Sequence, residues 1–291
     1  DRKDDYKKTF DTEAGERVGV ARRREVTTAI RREKRDKMMR KRRKGMPELL
    51  PGEAKGPETF TPAQIQAAVQ GMVHRPGHPP ESRLACLRQV RAMLCVAEPP
   101  VDELAKAGAV PLLIRFLTES HAESQYEACW CLTNIASCSF TLTGMVLPAA
   151  PYMIAFMQGD NPRLQEQAAW ALGNIAGESE EYRVTLLKNG ILQPLLRLLS
   201  SSDQAVARTA AWALTNMLTG PHAPVDDCIN QGVLPQVARL LSAPDPAIVT
   251  EAVWILTYIT ARGEKYVAEA LKHPVMPALI THLSSNIEAL M

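Results

Sequence analysis

Four tryptophans recur at nearly constant spacing, and each is followed four residues later by a polar partner. The intervals are 40, 42 and 42 residues, and the pairs are Trp130/Asn134, Trp170/Asn174, Trp212/Asn216 and Trp254/Tyr258. Residues i and i+4 share one helix face, so stacked repeats would align the pairs in one row, here called the indole–amide row. A buried carboxamide needs hydrogen-bond partners, so Asn is a poor core residue. We therefore predict that the row faces water.

Such a row is suited to an extended peptide rich in Lys and Arg. Parallel indoles form slots for the aliphatic stem of a cationic side chain, and cation–π attraction adds ~0.5–2 kcal/mol per contact. Carboxamides can both donate to and accept from a peptide backbone. Three carboxylates near the row, Glu127, Glu178 and Glu251, would attract the positive charges. The predicted chemistry is therefore non-covalent peptide binding.

The elements that must position the row are predicted helices in a repeat of about 42 residues. A Gly followed by a Pro opens one apolar helix, as at Gly108 to Pro111 and Gly232 to Pro235. A polar break then precedes the helix that carries the tryptophan. Gly commonly ends helices and Pro begins them. This period is typical of armadillo or HEAT arrays, and no strand-like alternation occurs, so we predict an all-α solenoid.

Charge is distributed unevenly along the chain. The formal net charge is +2, yet residues 1–45 contain 18 Lys and Arg against nine Asp and Glu, which leaves the remainder net acidic. Few apolar residues occur in this basic arm, so we predict that it is largely disordered when free and helical on a partner. Residues 46–61 are rich in Gly and Pro and are predicted to form a linker. Residues 62–291 would hold the repeats, and their uncapped end predicts that further repeats follow.

Several other classes of function are disfavoured. The six cysteines follow no metal-ligand spacing and are predicted to be reduced, mostly buried thiols. The histidines are scattered, and no phosphate loop or nucleophile motif occurs, so we predict neither enzymatic activity nor a metal or cofactor. The arm lacks interleaved aromatics, which argues against direct nucleic-acid binding. We found no apolar run long enough to span a bilayer and no signal peptide, so we predict no membrane insertion.

Together these features resemble the importin-α (karyopherin alpha) family. Residues 31–44, with Phe10 upstream, are similar to its importin-β-binding domain, and residues 127–137 and 165–177 are similar to its second and third armadillo repeats. The resemblance implies a right-handed armadillo-repeat superhelix that shuttles between cytoplasm and nucleus. Its implied partners are importin-β and cargo proteins with classical nuclear localisation signals.

The resemblance also implies roles for individual residues. The tryptophans would form lysine slots and the asparagines would clamp the backbone of the signal. Glu178 stands where the family has Asp, which lengthens the reach by one methylene. The residues assigned to cargo-signal binding are Trp130, Asn134, Thr143, Gln167, Trp170, Asn174, Glu178, Trp212, Asn216, Glu251, Trp254 and Tyr258. Those assigned to importin-β binding and autoinhibition are Arg22, Arg23, Arg24, Arg31, Arg32, Lys34, Arg35, Lys37, Arg40, Lys41, Arg42, Arg43 and Lys44.

A second interpretation is a general armadillo scaffold that binds another extended partner, such as an acidic one. Such a groove should be lined with Lys and Arg. In this sequence the Trp-bearing helices carry few bases, Arg163 and Arg208 among them, and the repeats are net acidic. The charge balance therefore favours a cationic ligand.

Overall fold

The computed structural model describes residues 59–74 and 79–284, so the predicted basic arm and most of the linker lie outside the described residues. The described residues are helical, with connecting turns and no strand. All the helices belong to one compact unit. The prediction of an all-α armadillo-type solenoid is confirmed.

Sixteen α-helices follow one another within the described ranges. The first eight are α1 Pro62–Gly71, α2 Pro80–Leu94, α3 Val101–Lys106, α4 Ala109–Leu117, α5 Ala122–Ile135, α6 Phe140–Val146, α7 Ala150–Gln158 and α8 Pro162–Glu178. The remainder are α9 Glu180–Lys188, α10 Leu192–Leu198, α11 Gln204–Met217, α12 Val225–Asn230, α13 Val233–Leu240, α14 Pro246–Thr260, α15 Glu264–Ala270 and α16 Val275–Ser284. A 3₁₀ turn, Leu147–Ala149, joins α6 to α7.

Each complete repeat contains a short first helix, a second helix and a long third helix. In the first of them these are α3, α4 and α5, and the pattern recurs through α12, α13 and α14. The second helix packs on the third helix of its own repeat, and the third helices α2, α5, α8, α11 and α14 pack side by side. The Trp-bearing helices are therefore neighbours in one layer, as the period predicts.

Local sequence explains where the helices begin. Asn161, Asp203 and Asp245 cap α8, α11 and α14, and the side chain of Asp203 accepts from the Ala205 amide at 2.8 Å. Such caps satisfy amides that have no partner inside the helix. Gly108 and Gly232 adopt φ values of 85° and 79° before α4 and α13, a backbone region that favours glycine. The predicted Gly and Pro punctuation therefore sets the turns between helices.

Alanine and leucine fill the space between the two helix layers. In α8, Ala168, Ala171, Leu172 and Ile175 are fully buried. Small side chains allow neighbouring third helices to approach closely, while leucines from the second helices fill the remaining volume. This packing holds the third helices in fixed register and so fixes the positions of the row residues.

One expectation about hydropathy is wrong. Within the described part of the chain, the run Phe140–Gln158 is long and apolar enough to cross a membrane, with a mean hydropathy of 1.5. Length and composition alone are weak evidence, because the core helices of soluble proteins pass the same test. Here the run comprises α6, the 3₁₀ turn and α7, and 44% of it is buried.

Candidate indole–amide groove

The structure brings the predicted pairs into one row across four adjacent helices. Trp130/Asn134 lies on α5, Trp170/Asn174 on α8, Trp212/Asn216 on α11 and Trp254/Tyr258 on α14. The rings of Trp170 and Trp212 approach to 6.0 Å between centroids, which confirms that pairs from consecutive repeats are adjacent. The row follows from the repeat period and from the lateral packing of the third helices.

Hydrogen bonds tie the asparagines to the preceding repeat. Asn174 Nδ2 donates to the Thr133 carbonyl at 3.1 Å, and Asn216 Nδ2 donates to the Gly173 carbonyl at 2.9 Å. Each acceptor is the residue just before the asparagine of the neighbouring helix. The series changes at α14, where Tyr258 replaces the amide. The asparagines therefore brace adjacent repeats as well as belonging to the row.

The prediction that the row faces water is wrong for the first three pairs. The relative exposures of Trp130, Trp170 and Trp212 are 7%, 8% and 5%, and each paired asparagine is at most 7% exposed. The amides of Asn174 and Asn216 can be buried because each finds its acceptor on a helix about 40 residues away in sequence. On α14, Trp254 and Tyr258 are half-buried and their rings lie 6.2 Å apart.

Gly173 explains how Trp212 fits against its neighbour. A Cβ at this position would stand 2.8 Å from Trp212 Cε3 and closer still to Cζ3, so the indole lies directly over the glycine. Glycine inside a helix costs ~1 kcal/mol relative to alanine and calls for a packing reason. The sequence motif contained this signal, but Gly173 was not among the predicted site residues.

The prediction of parallel indoles is wrong for Trp170 and Trp212. Their planes are inclined by 44° at a centroid separation of 6.0 Å. A methylene chain between two rings needs about 7–8 Å, since each carbon–carbon contact takes roughly 3.5–4.0 Å. This slot must therefore open by an ångström or more to hold a lysine stem between the rings.

The α5 end of the row is basic as well as aromatic. The Arg91 guanidinium lies 5.2 Å from the Trp130 ring centroid, and the Tyr126 ring meets Trp130 edge-on at 5.7 Å. Arg163 from α8 lies over Tyr126 at 4.1 Å. Cation–π contacts of this kind stabilise the aromatic cluster and fix its cations in place.

Glu127 was predicted to attract the positive charges of a bound peptide, but arginines of the protein itself neutralise this carboxylate. It is buried and pairs with Arg91 and, at 3.3 Å, with Arg88 Nε. Glu123 links Arg88 and Arg163, each at 3.4 Å. The prediction that Glu127 faces a ligand is wrong, because both arginines come from a helix more than 35 residues earlier. Arg88 and Arg91 were not predicted as neighbours of the row.

Two other predicted carboxylates lie toward the opposite end of the row. Glu178 and Glu251 are half-buried, and Glu251 Oε2 accepts from Thr215 Oγ1 at 3.2 Å. Burial, followed by the charges of Glu181 and Glu178, raises the pKa of Tyr182. Negative charge is therefore available on α8 and α14, whereas the α5 end carries paired arginines.

The remaining predicted groove positions are buried and hydrogen-bonded. Gln167 Nε2 donates to Thr133 Oγ1 at 2.7 Å, which links α8 to α5. Thr143 is fully buried, and its Oγ1 lies 2.8 Å from the Ser139 carbonyl and 3.0 Å from that of Ala136. Both side chains hold helices together in this structure. The predicted importin-β-binding and autoinhibitory residues between Arg22 and Lys44 lie outside the described residues.

The cysteines are partly as predicted. Cys129, Cys131 and Cys228 are buried, and Cys138 is exposed. Burial, with a smaller contribution from Asp227, raises the pKa of the Cys228 thiol to about 12. In the described residues, no group of three or more His, Cys, Asp or Glu side chains is arranged to hold a metal ion.

Comparisons with known proteins agree with this architecture. The armadillo/beta-catenin-like repeat family matches residues 98–137, 149–177, 179–219 and 221–261. Importin subunit alpha-2 of Oryza sativa subsp. japonica is 56% identical over 132 residues, which cover 44% of this chain and 25% of that protein. Importin subunit alpha-3 of Caenorhabditis elegans is 38% identical over 194 residues, which cover 66% of this chain and 38% of that protein.

A solved structure matches over most of the chain. A designed armadillo repeat protein in complex with the peptide (KR)4 superimposes with a TM-score of 0.71 at 24% identity, covering 78% of this chain and 94% of that one. This likeness concerns the fold alone.

The architecture and the repeated row define an armadillo-repeat solenoid. The chain belongs to the armadillo-repeat proteins. The curated relatives that it resembles are importin-α subunits. It spans well under half the length of the curated relatives it matches. Neither family is one of enzymes, which confirms the prediction that this chain is not an enzyme.

Proposed function

We propose that this chain is a nuclear import adaptor that binds Lys/Arg-rich nuclear localisation signals along the indole–amide row. It would bind importin-β through residues 1–45 and shuttle between cytoplasm and nucleus. The observation that carries the proposal is the register of the four Trp-bearing pairs across four adjacent helices, in a chain whose curated relatives are importin-α subunits.

The signal would bind across the third helices with its backbone along the row. The ring centroids of Trp170 and Trp212 lie 6.0 Å apart, close to the roughly 6.6 Å between alternate side chains of an extended chain, which rises ~3.3 Å per residue. Alternate aliphatic stems would then reach successive indoles, and binding must widen the gap between Trp170 and Trp212. The affinity would thus include a cost for moving Trp212 away from Gly173.

Charge supports one placement of the signal over another. Arg88 and Arg91 offset Glu127 at the α5 end, whereas Glu178 and Glu251 contribute negative charge on α8 and α14. A cationic side chain is attracted to Glu178 and Glu251, whereas the paired arginines at the α5 end leave no net negative charge there to attract it. We therefore place the most basic part of the signal between Trp170 and Tyr258.

The arm would regulate access to the row. Lys41 to Lys44 resemble a localisation signal, and tethering gives such a segment an effective concentration in the mM range, so weak binding is enough to compete. Importin-β would remove this competitor by binding residues 1–45. The groove then becomes available to cargo in the complex with importin-β.

The first experiment measures binding of a fluorescent Lys/Arg-rich signal peptide by anisotropy. Trp170→Ala should weaken binding at least tenfold, because it removes the central indole. Glu178→Gln and Glu251→Gln should each weaken binding and reduce its salt dependence, with little effect on packing. Tyr152→Ala changes an exposed aromatic on the second-helix layer and serves as the control. Equal binding by all these proteins would refute the groove assignment.

The second experiment tests the arm. A chain beginning at residue 46 should bind the signal peptide more tightly than the full chain and should no longer capture importin-β. Replacing Lys41, Arg42, Arg43 and Lys44 by alanine in the full chain should raise peptide affinity while the remaining arm is kept. Unchanged peptide affinity in both variants would exclude autoinhibition, and a scaffold for another extended partner would then be the better interpretation.

A further inference from the structure

An open cavity lies on the second-helix layer, away from the row residues. It has a volume of about 550 Å³ and is lined by residues of α7, α10 and α13 and by the end of α12. Four of the lining residues are glutamines, namely Gln158, Gln193, Gln231 and Gln236, and the only charged lining residue in this part of the structure is Arg197.

Arg197 is held in place by the neighbouring repeat. Its Nη2 donates to the Met157 carbonyl at 2.7 Å, near the end of α7. A guanidinium has five N–H donors in a fixed plane, so this bond leaves most of its donors for other partners. Among the described residues no carboxylate forms an ion pair with Arg197, and the side chain is exposed. The cavity thus contains an oriented cation without a counter-charge.

The glutamines complete a surface for a peptide that carries a carboxylate. Ser200 Oγ donates to Gln236 Oε1 at 3.2 Å, which orients this carboxamide so that its amino group remains a donor. Gln158, Gln193 and Gln231 are exposed and can pair with main-chain amides and carbonyls. Pro194 and Leu196 supply an apolar floor. A carboxylate is the group that best matches a planar guanidinium, because its two oxygens can accept two parallel hydrogen bonds from the guanidinium.

We propose that this cavity is a second peptide-binding site, selective for an acidic extended segment rather than a basic one. The acidic side chain binds Arg197, and the glutamines hold the adjoining backbone. This site does not depend on the proposed function of the indole–amide row, because it shares no residue with that row.

A second cation suggests the spacing of the acidic residues. Arg239 on α13 stands one repeat after Arg197 and likewise donates to a carbonyl of the preceding repeat, that of Leu199. Equivalent helices of successive repeats stack roughly 8–10 Å apart, which matches one turn of a polyproline II chain, in which three residues at a ~3.1 Å rise return the side chain to the same face. The preferred segment therefore has two acidic residues three positions apart, one for each arginine.

The test is anisotropy with a labelled Gly/Ser peptide that carries two glutamates three residues apart, beside the same peptide with two glutamines. The full chain should bind the glutamate peptide at least tenfold more tightly. Arg197→Gln should abolish the preference. Arg115→Gln removes a cation at the matching position of α4, two repeats away, and should leave it unchanged. Equal binding of the two peptides, or equal losses in Arg197→Gln and Arg115→Gln, would overturn the proposal.

Two further variants separate binding from folding and from the row. Gln193→Glu places a negative charge at an exposed lining position and leaves the hydrogen bond from Arg197 to Met157 intact. It should therefore weaken binding of the glutamate peptide, as Arg197→Gln does. Trp170→Ala should leave binding of the glutamate peptide unchanged, whereas it should weaken binding of a basic signal peptide. The glutamate peptide binds elsewhere if Gln193→Glu does not weaken its binding. The same conclusion follows if Trp170→Ala weakens its binding as strongly as Arg197→Gln does.

Discussion

At the scale of single residues, the row shows that one side chain can serve packing and binding at once. Asn174 and Asn216 brace the backbone of the preceding repeat, and the carboxamide still belongs to the proposed peptide site. Replacement of such a residue therefore changes stability as well as affinity. Experiments on the row need controls that report folding independently of binding.

Gly173→Ala should destabilise the protein by about 1–3 kcal/mol, because the added methyl overlaps Trp212 and overpacks the contact between α8 and α11. Chemical denaturation followed by circular dichroism measures this change. The matched control is Gly159→Ala, whose Cβ would meet only the Phe156 carbonyl oxygen, at an ordinary 3.5 Å. Equal stability of the two variants would show that Trp212 does not lie against Gly173.

The raised pKa of the Cys228 thiol predicts that the folded protein loses stability in alkaline solution. Its pKa is raised from 9.0 to about 12 in the folded protein, so the folded state keeps a proton that the unfolded state releases. This contribution is complete below pH 9 and is lost progressively as pH rises from 9 toward 12.

Denaturation midpoints between pH 8 and 10.5 measure this effect. Cys228→Ala should show a shallower decline than the unchanged protein, whereas Cys138→Ala, which alters an exposed cysteine, should not. Identical slopes for all three proteins would contradict the burial of the Cys228 thiol.

At the scale of helices, the third-helix layer depends on lateral hydrogen bonds as well as on apolar packing. Asn216→Ala should lower the free energy of unfolding by about 1–3 kcal/mol, because it leaves the buried Gly173 carbonyl without this donor. Thermal and denaturant unfolding measure the loss. Asn230→Ala, at an exposed position that ends α12, is the control and should change stability by less than about 0.5 kcal/mol.

Much of this level of organisation could be predicted from sequence. The tryptophan period, the Gly and Pro positions and the capping residues together indicate the helices and their order. Contacts between repeats could not be predicted in the same way. The bond from Asn174 to Thr133 and the pairing of Glu127 with Arg91 each join helices whose lateral register depends on the packed side chains. The row itself was therefore predictable, whereas its exposure and its free negative charge are lower than predicted.

At the scale of the whole molecule, the two helix layers present different chemistry. The third-helix layer carries the aromatic row with carboxylates toward α14, and the second-helix layer carries Arg197 and the glutamine-lined cavity. We expect the two surfaces to bind oppositely charged segments without competing. Titration of a basic signal peptide in the presence of saturating glutamate peptide should give an unchanged dissociation constant. Mutual displacement would show that the two segments share a site.

The most direct test of the central claim is a double-mutant cycle between the indole–amide row and a signal peptide. Trp170→Ala and Trp212→Ala are each measured against the peptide and against versions in which one lysine at a time is replaced by alanine. One lysine should couple to these indoles by ~0.5–2 kcal/mol, as expected for a stem held against an aromatic ring. Additive effects for every lysine would show that no cationic side chain of the signal contacts the row.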